Sequence, residues 1–354
     1  MVHSATVDEF LQLSDPLLDV RSPAEFEHAH IPSALSFPLF NNDERAAVGT
    51  CYKQQGRDEA VELGLKFVGP KLADFVAQAK AIAPDRVLRT HCWRGGMRSG
   101  SMAWLLETAG FRVTTLTGGY KAFRQWVRQT LAAPKPIISL GGMTGTGKTA
   151  ILEALARQGE QVLDLEGIAH HRGSSYGSVG LPPQPSTEQF ENVVAIAWAA
   201  LDARRPIWVE AESRQIGRCR IPDELFGPMV QAPMVQVMRS RPERVANLLD
   251  DYGGANGDEL VAATQRLQKR LGGLRTKDAI AHIQAGELAP AIEMVLDYYD
   301  KAYTYDLKKK RDVPIYPVDI TGLSPDQAAQ AVQQTLQQVI EVTSTKSAIA
   351  SSRT

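Results

Sequence analysis

The strongest constraint on the fold is a glycine-rich octapeptide between an apolar run and a helical one. Ile137-Ile138-Ser139-Leu140 leads into Gly142-Met143-Thr144-Gly145-Thr146-Gly147-Lys148-Thr149, and Ala150-Ile151-Leu152-Glu153-Ala154-Leu155 follows. The octapeptide has the form G-x-x-x-x-G-K-[ST], and a strand before it with a helix after it is the context in which that form cradles phosphate. Backbone N–H groups of Gly142, Gly145 and Gly147 would surround a diphosphate. Lys148 would neutralise a terminal phosphate, and Thr149 would ligate a magnesium ion. The motif requires a parallel α/β domain around it, but it specifies a phosphate site and not a reaction.

The rest of the chain is compatible with two such domains. At 354 residues it has the length of two or three domains. Ala132-Ala133-Pro134-Lys135-Pro136 cannot continue a helix and marks a boundary. The expected domains are residues 1–133 and 134–342, with 343–354, rich in Ser and Thr, as a loose tail. In the first domain strands are expected at 16–20, 86–91 and 111–116, alternating with helices that begin near Pro23, Ser99 and Ala122. In the second, strands are expected at 137–141, 160–164, 206–210 and 234–238, and residues 240–310 should be almost wholly helical. Alternating strands and helices predict parallel sheets in both domains.

Charge and cysteine content exclude several classes. Lys plus Arg is 39 and Asp plus Glu is 40, a net charge of -1, so the chain is not a globally basic nucleic-acid binder. The three cysteines, Cys51, Cys92 and Cys219, form neither a disulfide framework nor a C-x-x-C pair. No apolar run approaches the roughly 18 residues of a membrane span, and the N-terminus lacks the plan of a signal peptide. A cytoplasmic protein without a membrane partner is expected.

Cys92-Trp93-Arg94-Gly95-Gly96-Met97-Arg98-Ser99 lies between an expected strand and an expected helix. A loop entering a helix N-terminus aims several N–H groups at one point and stabilises an anion there. A thiol at that point is acidified, and its thiolate is the nucleophile. Arg94 and Arg98 add positive charge, so Cys92, Arg94 and Arg98 form a candidate catalytic set for an anionic substrate. His91 is expected to be a packed strand residue.

Further candidates follow the phosphate loop. Glu210 and Glu212 end one expected strand, and Asp164 and Glu166 end another; Asp164 and Glu210 are the leading metal ligands beside Thr149. Aspartate is commoner than glutamate at such a strand end in true ATPases, so Glu210 weakens an ATPase reading. In His170-His171-Arg172-Gly173-Ser174-Ser175, Arg172 is a candidate phosphate ligand. Arg266, Lys269 and Arg270 lie in a stretch with five basic residues and no acid, 264–277. Tyr298-Tyr299, Tyr303 and Tyr305 then precede Lys308-Lys309-Lys310-Arg311. Basic charge interleaved with aromatics suits an RNA backbone and unstacked bases.

The first domain resembles the rhodanese family through Asp19-Val20-Arg21-Ser22-Pro23-x-Glu25-Phe26, His30-Ile31-Pro32-x-Ala34 and Leu116-Thr117-Gly118-Gly119-Tyr120-x-Ala122-Phe123. In that family a cysteine at the place of Cys92 carries sulfur or selenium. Five residues separate Cys92 from Arg98, where sulfurtransferases usually have four. The longer loop is similar to that of the related phosphatase branch and implies a larger, phosphate-bearing anion.

From Leu17 to about Val318 the order of these motifs resembles the tRNA 2-selenouridine synthase family. The resemblance implies a tRNA with wobble 2-thiouridine as partner. It implies S-geranylation from geranyl diphosphate, then replacement of the S-geranyl group by selenium from selenophosphate. It also implies a link to a selenophosphate synthetase, use of Mg2+ and no ATP hydrolysis. A P-loop kinase or ATPase joined to a persulfide-delivering domain, and a nucleotide-switched binding module, are the alternatives left by the residues alone.

Overall fold

The computed structural model describes residues 3–310 and 313–337, with the side chains of 308–310 excluded. The chain divides into two compact units, Met1–Thr130 with Glu191–Ile196, and Leu131–Phe190 with Ala197–Thr354. The tail expected over 343–354 lies outside the described residues.

The first unit is built on five parallel strands, β1 (His3–Ala5), β2 (Leu17–Asp19), β3 (Leu35–Ser36), β4 (Val87–His91) and β5 (Arg112–Leu116), in the order β1-β5-β4-β2-β3. In register, Leu18 lies beside Thr90, and Leu88 beside Val113. Every residue of β2 and all but the first of β4 are buried, as strands covered on both faces must be. Leu18, Leu88 and Val113 join Phe75, Met102 and Leu106 in the core on one side. Pro23 opens helix Pro23–His28 at its first turn, where a proline costs no hydrogen bond. Asp19 and Arg21 form a fully buried pair at 2.6 Å, and Arg21 lies 3.9 Å from the Tyr120 ring centroid. Removing Arg21 would leave the Asp19 charge buried and uncompensated, a change of about 3–5 kcal/mol.

The second unit has five parallel strands, β6 (Ile137–Gly142), β7 (Gln161–Leu163), β8 (Ile207–Glu210), β11 (Met234–Met238) and β12 (Ile315–Asp319), in the order β12-β11-β6-β8-β7; β9 (Gln215–Ile216) and β10 (Cys219–Arg220) form a short antiparallel pair. All six residues of β6 are buried. The chain leaves β6 for β7 and β8 on one side and reaches β11 and β12 on the other, so β6 ends at the crevice where doubly wound sheets bind ligands. Beyond β11, helices Arg241–Tyr252, Gly257–Arg266, Gly273–Gln284 and Leu288–Lys310 enclose a separate apolar core around Leu248, Leu260, Ile283 and Leu296.

The fold is therefore the expected pair of parallel α/β domains with a helical C-terminal region. Strand ends differ from expectation by a residue or two, as fraying ends do. The edge strands β1, β3 and β12, of two to five residues, were not anticipated, nor was the helical run Asn42–Gln54, Arg57–Val68 and Leu72–Ile82.

Candidate active sites

Cys92 follows the last residue of β4, and its loop enters helix Met97–Thr108. The loop is pinned from another part of the domain. Tyr120 N–H donates to the Cys92 carbonyl at 2.8 Å, and Lys121 N–H to that of Trp93 at 2.9 Å. This close approach requires glycine at two places. A Cβ on Gly119, at φ 60°, would lie 2.4 Å from the Cys92 oxygen, and one on Gly95, at φ 63°, 2.6 Å from the Leu116 oxygen. The Thr117-Gly118-Gly119-Tyr120 signature thus shapes the cysteine loop directly.

Cys92 is 3% exposed, and its Sγ lies 3.2 Å from Ser99 Oγ. Burial pushes the thiol up. The Ser99 hydroxyl, the backbone N–H groups of Ser99 and Arg94, and the Arg98 charge outweigh it, so the thiol sits below its ordinary range. In Cys219 burial outweighs the Arg218 charge, and the thiol is pushed up instead. Arg98 Nη1 is held at 2.8 Å by Glu25, whose carboxylate also accepts from Ser22 N–H at the start of helix Pro23–His28. Arg94 is exposed at the mouth, and Arg45, which sequence reasoning missed, lines the same pocket. Arg45 lies in none of the motifs; its place is set by helix Asn42–Gln54. His91 is fully buried, 3.6 Å from Asp19, and burial pushes its imidazole down to about 4, so it is a neutral packed residue.

The phosphate loop is built from β6 into helix Lys148–Arg157. Gly145 and Gly147 adopt φ of 81° and 83°, which glycine alone adopts without strain. The loop carbonyls are held from outside it. Arg244 Nε donates to Thr144 O at 2.8 Å, and Asn247 Nδ2 to Gly145 O at 2.9 Å. Arg244 is 4% exposed and also pairs with Asp300 on the long helix Leu288–Lys310 at 2.5 Å. A Cβ on Gly142 would meet Thr146 Oγ1 and Val237 Cγ2 at 2.8 Å, so this position too must stay small.

Lys148 donates to the Gly142 carbonyl at 3.1 Å and lies 3.2 Å from Glu210. Its ammonium is pushed up: burial opposes the charge, and Glu210, Glu166 and Glu212 more than restore it. Carboxylate oxygens of Glu166, Glu210 and Glu212 lie within 4.8 Å of one another. Burial, then the neighbouring charges of Glu210 and Glu212, push Glu166 up to about 10; burial, then Glu210, pushes Glu212 up to about 7. One lysine cannot neutralise three carboxylates, so the group holds either protons or a cation. The all-oxygen donor set fits magnesium.

Asp164 is not part of this group. It is exposed and caps helix Leu165–Ala169, accepting the Gly167 N–H at 2.8 Å. The helix it starts carries Glu166 inward in its place. Glu210, expected as a ligand, is in the group; Thr149 is exposed and lines the same cavity. Gly173, at φ 62°, brings backbone against the acids, since a Cβ there would lie 2.6 Å from Glu166 Oε1. Arg172 also lines the cavity. It donates to the Val179 carbonyl at 3.0 Å and lies 5.4 Å from the Tyr252 ring centroid.

The basic candidates are placed differently. Arg266 is exposed, but its Nη2 donates to Ser175 O at 2.9 Å and braces the loop behind Gly173. Lys269 and Arg270 are exposed on the short helix Gln268–Leu271. The side chains of Lys308, Lys309 and Lys310 lie outside the described residues. Among the described residues no helix is long and apolar enough to cross a membrane.

Fold and sites together define a rhodanese-like cysteine domain followed by a P-loop domain. A rhodanese-like domain model matches residues 6–125, and the model of the tRNA 2-selenouridine synthase AAA domain matches residues 135–338. The chain belongs to the tRNA 2-selenouridine synthase family, and is a tRNA-modifying enzyme. Similar solved structures include the N-terminal domain of a Clostridium difficile 630 protein, 42% identical over 35% of this chain and 98% of that one, with a TM-score of 0.34. Another is the BH2092 protein from Bacillus halodurans, 18% identical over 36% of this chain and 72% of that one, with a TM-score of 0.22.

Proposed function

We propose that this enzyme converts wobble 2-thiouridine in tRNA to 2-selenouridine in two steps, each in one domain. In the first, the P-loop domain holds geranyl diphosphate. The thiocarbonyl sulfur forms a bond to the allylic carbon, and the C–O bond breaks with its electrons passing to diphosphate. The N3 proton goes to solvent. Gly142, Gly145, Gly147 and Lys148 hold the diphosphate, with Arg172 at its edge. A magnesium ion held by Thr149 and the Glu166–Glu210–Glu212 group would supply charge neutralisation for the leaving group. In the second step selenophosphate lies in the Cys92 loop, with Arg94 and Arg98 on its oxygens and Cys92 at its selenium. Selenium forms a bond to C2 as the C2–S bond breaks; geranyl thiol leaves with a proton, and water splits Se–P to give phosphate and 2-selenouridine. Selenophosphate comes from a selenophosphate synthetase, and exposed Lys269 and Arg270 face the RNA.

One observation supports the geranyl step over ATP chemistry. An apolar cavity of about 60 Å³ opens beside the phosphate loop. Leu260, Ile283, Leu288, Ile292 and Val295 give it an apolar wall. Thr144, Ser174, Leu248, Tyr252 and Tyr299 line both this cavity and the phosphate pocket. The aliphatic part of the wall suits the hydrocarbon tail of a prenyl diphosphate better than the polar edges of a nucleotide base.

The test is nucleoside mass spectrometry on 2-thiouridine tRNA incubated with the purified protein, geranyl diphosphate and selenophosphate, without ATP. A selenium product is expected, and an S-geranyl product when selenophosphate is omitted. Unchanged 2-thiouridine from a preparation that binds the tRNA would favour ATP-dependent sulfur transfer instead.

A further inference from the structure

The cysteine domain has an apolar cavity of its own, of about 160 Å³. Its inner wall is Leu39 and Phe40, just before helix Asn42–Gln54, with Val48 on that helix and Val61 and Val68 on helix Arg57–Val68. At its mouth stand Tyr52, Leu65 and Met97, exposed by 59%, 65% and 50%. Large apolar side chains gathered at an open cavity form the kind of surface that apolar ligands contact. Met97 and Arg98 line both this cavity and the anion pocket that holds Cys92. An apolar chamber and a cationic oxyanion cradle therefore meet at one wall.

The second step has a matching demand. The carbon under attack bears the departing sulfur with its hydrocarbon chain while selenium approaches. Reacting atoms stand roughly 3–3.5 Å apart in a productive complex, so the chain must start beside the oxyanion. We propose that this cavity binds the alkyl chain of the S-alkylated nucleoside, a branched isoprenoid of ten carbons, while Cys92 and the arginines hold the selenium donor. The inference rests on the two-step reading above and assigns the hydrocarbon a second site, distinct from the one beside the phosphate loop.

The test uses the full chain, selenophosphate and two tRNAs prepared beforehand, one with S-geranyl- and one with S-methyl-2-thiouridine, so that the first step is bypassed. Wild type should select the geranyl substrate at least tenfold in kcat/KM. Val61→Trp, which fills the cavity, should bring the ratio near one. Leu65→Asp, on the exposed lip and so tolerant of a polar group, should lower it at least threefold. In both variants selenation of the S-methyl tRNA and the rate of Cys92 alkylation should stay at the wild-type level. An unchanged ratio in both variants, with wild type active on both tRNAs, overturns the chain site and leaves the two-step reading standing. A wild type that converts neither tRNA removes the two-step reading, and the chain site with it.

Discussion

The two anion cradles solve one problem with opposite electrostatics. Each sits at the end of a central parallel strand and enters a helix, and each depends on glycines that bring backbone close. The Cys92 cradle is lined by Arg45, Arg94 and Arg98, with one brace, Glu25, turned onto Arg98. The phosphate loop has Lys148 facing Glu166, Glu210 and Glu212. The first is complete for an anion as it stands. The second sets three carboxylates against one lysine and is balanced by protons or by a cation. On the function proposed above, the first would hold the selenium donor and the second a leaving group.

The sharpest way to break this comparison is to disable one cradle at a time. Lys148→Ala should cost about 10²–10³ in geranylation and leave selenation of a preformed S-geranyl tRNA intact; Cys92→Ser should do the reverse, both read by nucleoside mass spectrometry. A single variant that abolishes both steps would show that the cradles act as one site.

Chelation should separate them next. With EDTA, geranylation should fall at least tenfold, about the scale on which a cation steadies a leaving group, whereas iodoacetamide alkylation of Cys92 should proceed at its usual rate. Equal sensitivity of the two assays would contradict the assignment of the carboxylate group.

A smaller effect tests the cationic side. In Arg98→Ala the alkylation pH profile of Cys92 should move upward, because burial then acts on the thiol with one opposing charge fewer. The smallest effect is on stability. A buried carboxyl with a raised folded pKa keeps its proton after the unfolded chain has lost it. The folded state is therefore favoured below the ordinary carboxylate range, and this advantage is lost as pH rises through about 7 for Glu212 and on towards about 10 for Glu166. In EDTA the melting temperature should fall by several degrees between pH 5 and 8, by differential scanning fluorimetry. Glu212→Gln or added magnesium should flatten the slope.

What the sequence revealed depended on contiguity. The Cys92 loop, the phosphate loop and the Gly118-Gly119 turn are short runs whose residue types state their own chemistry. Both parallel sheets followed from the alternation of apolar strands and helices. The carboxylate group was half legible. Glu210 was placed, but Asp164 and Glu166 are two residues apart, and only the cap on helix Leu165–Ala169 decides which one turns inward. The apolar cavities were not legible at all. Their walls combine residues such as Leu248, Ile283 and Val295, which look like ordinary core on separate helices until packing leaves a gap between them. Arg266 looked like an RNA contact, yet part of its hydrogen-bonding capacity goes to Ser175, a use that depends on where a distant loop passes.

The guanidinium of Arg244 grips the Thr144 carbonyl on one side and the Asp300 carboxylate on the other. It is a rigid strut between the ligand-binding turn and the long helix Leu288–Lys310. Neither end can shift without loading the other, so occupancy of the turn should be felt along Leu288–Lys310 as a loss of motion. Amide exchange in that helix should slow when diphosphate is added, and a lysine at position 244, with one point of attachment instead of a fork, should let the two ends breathe separately.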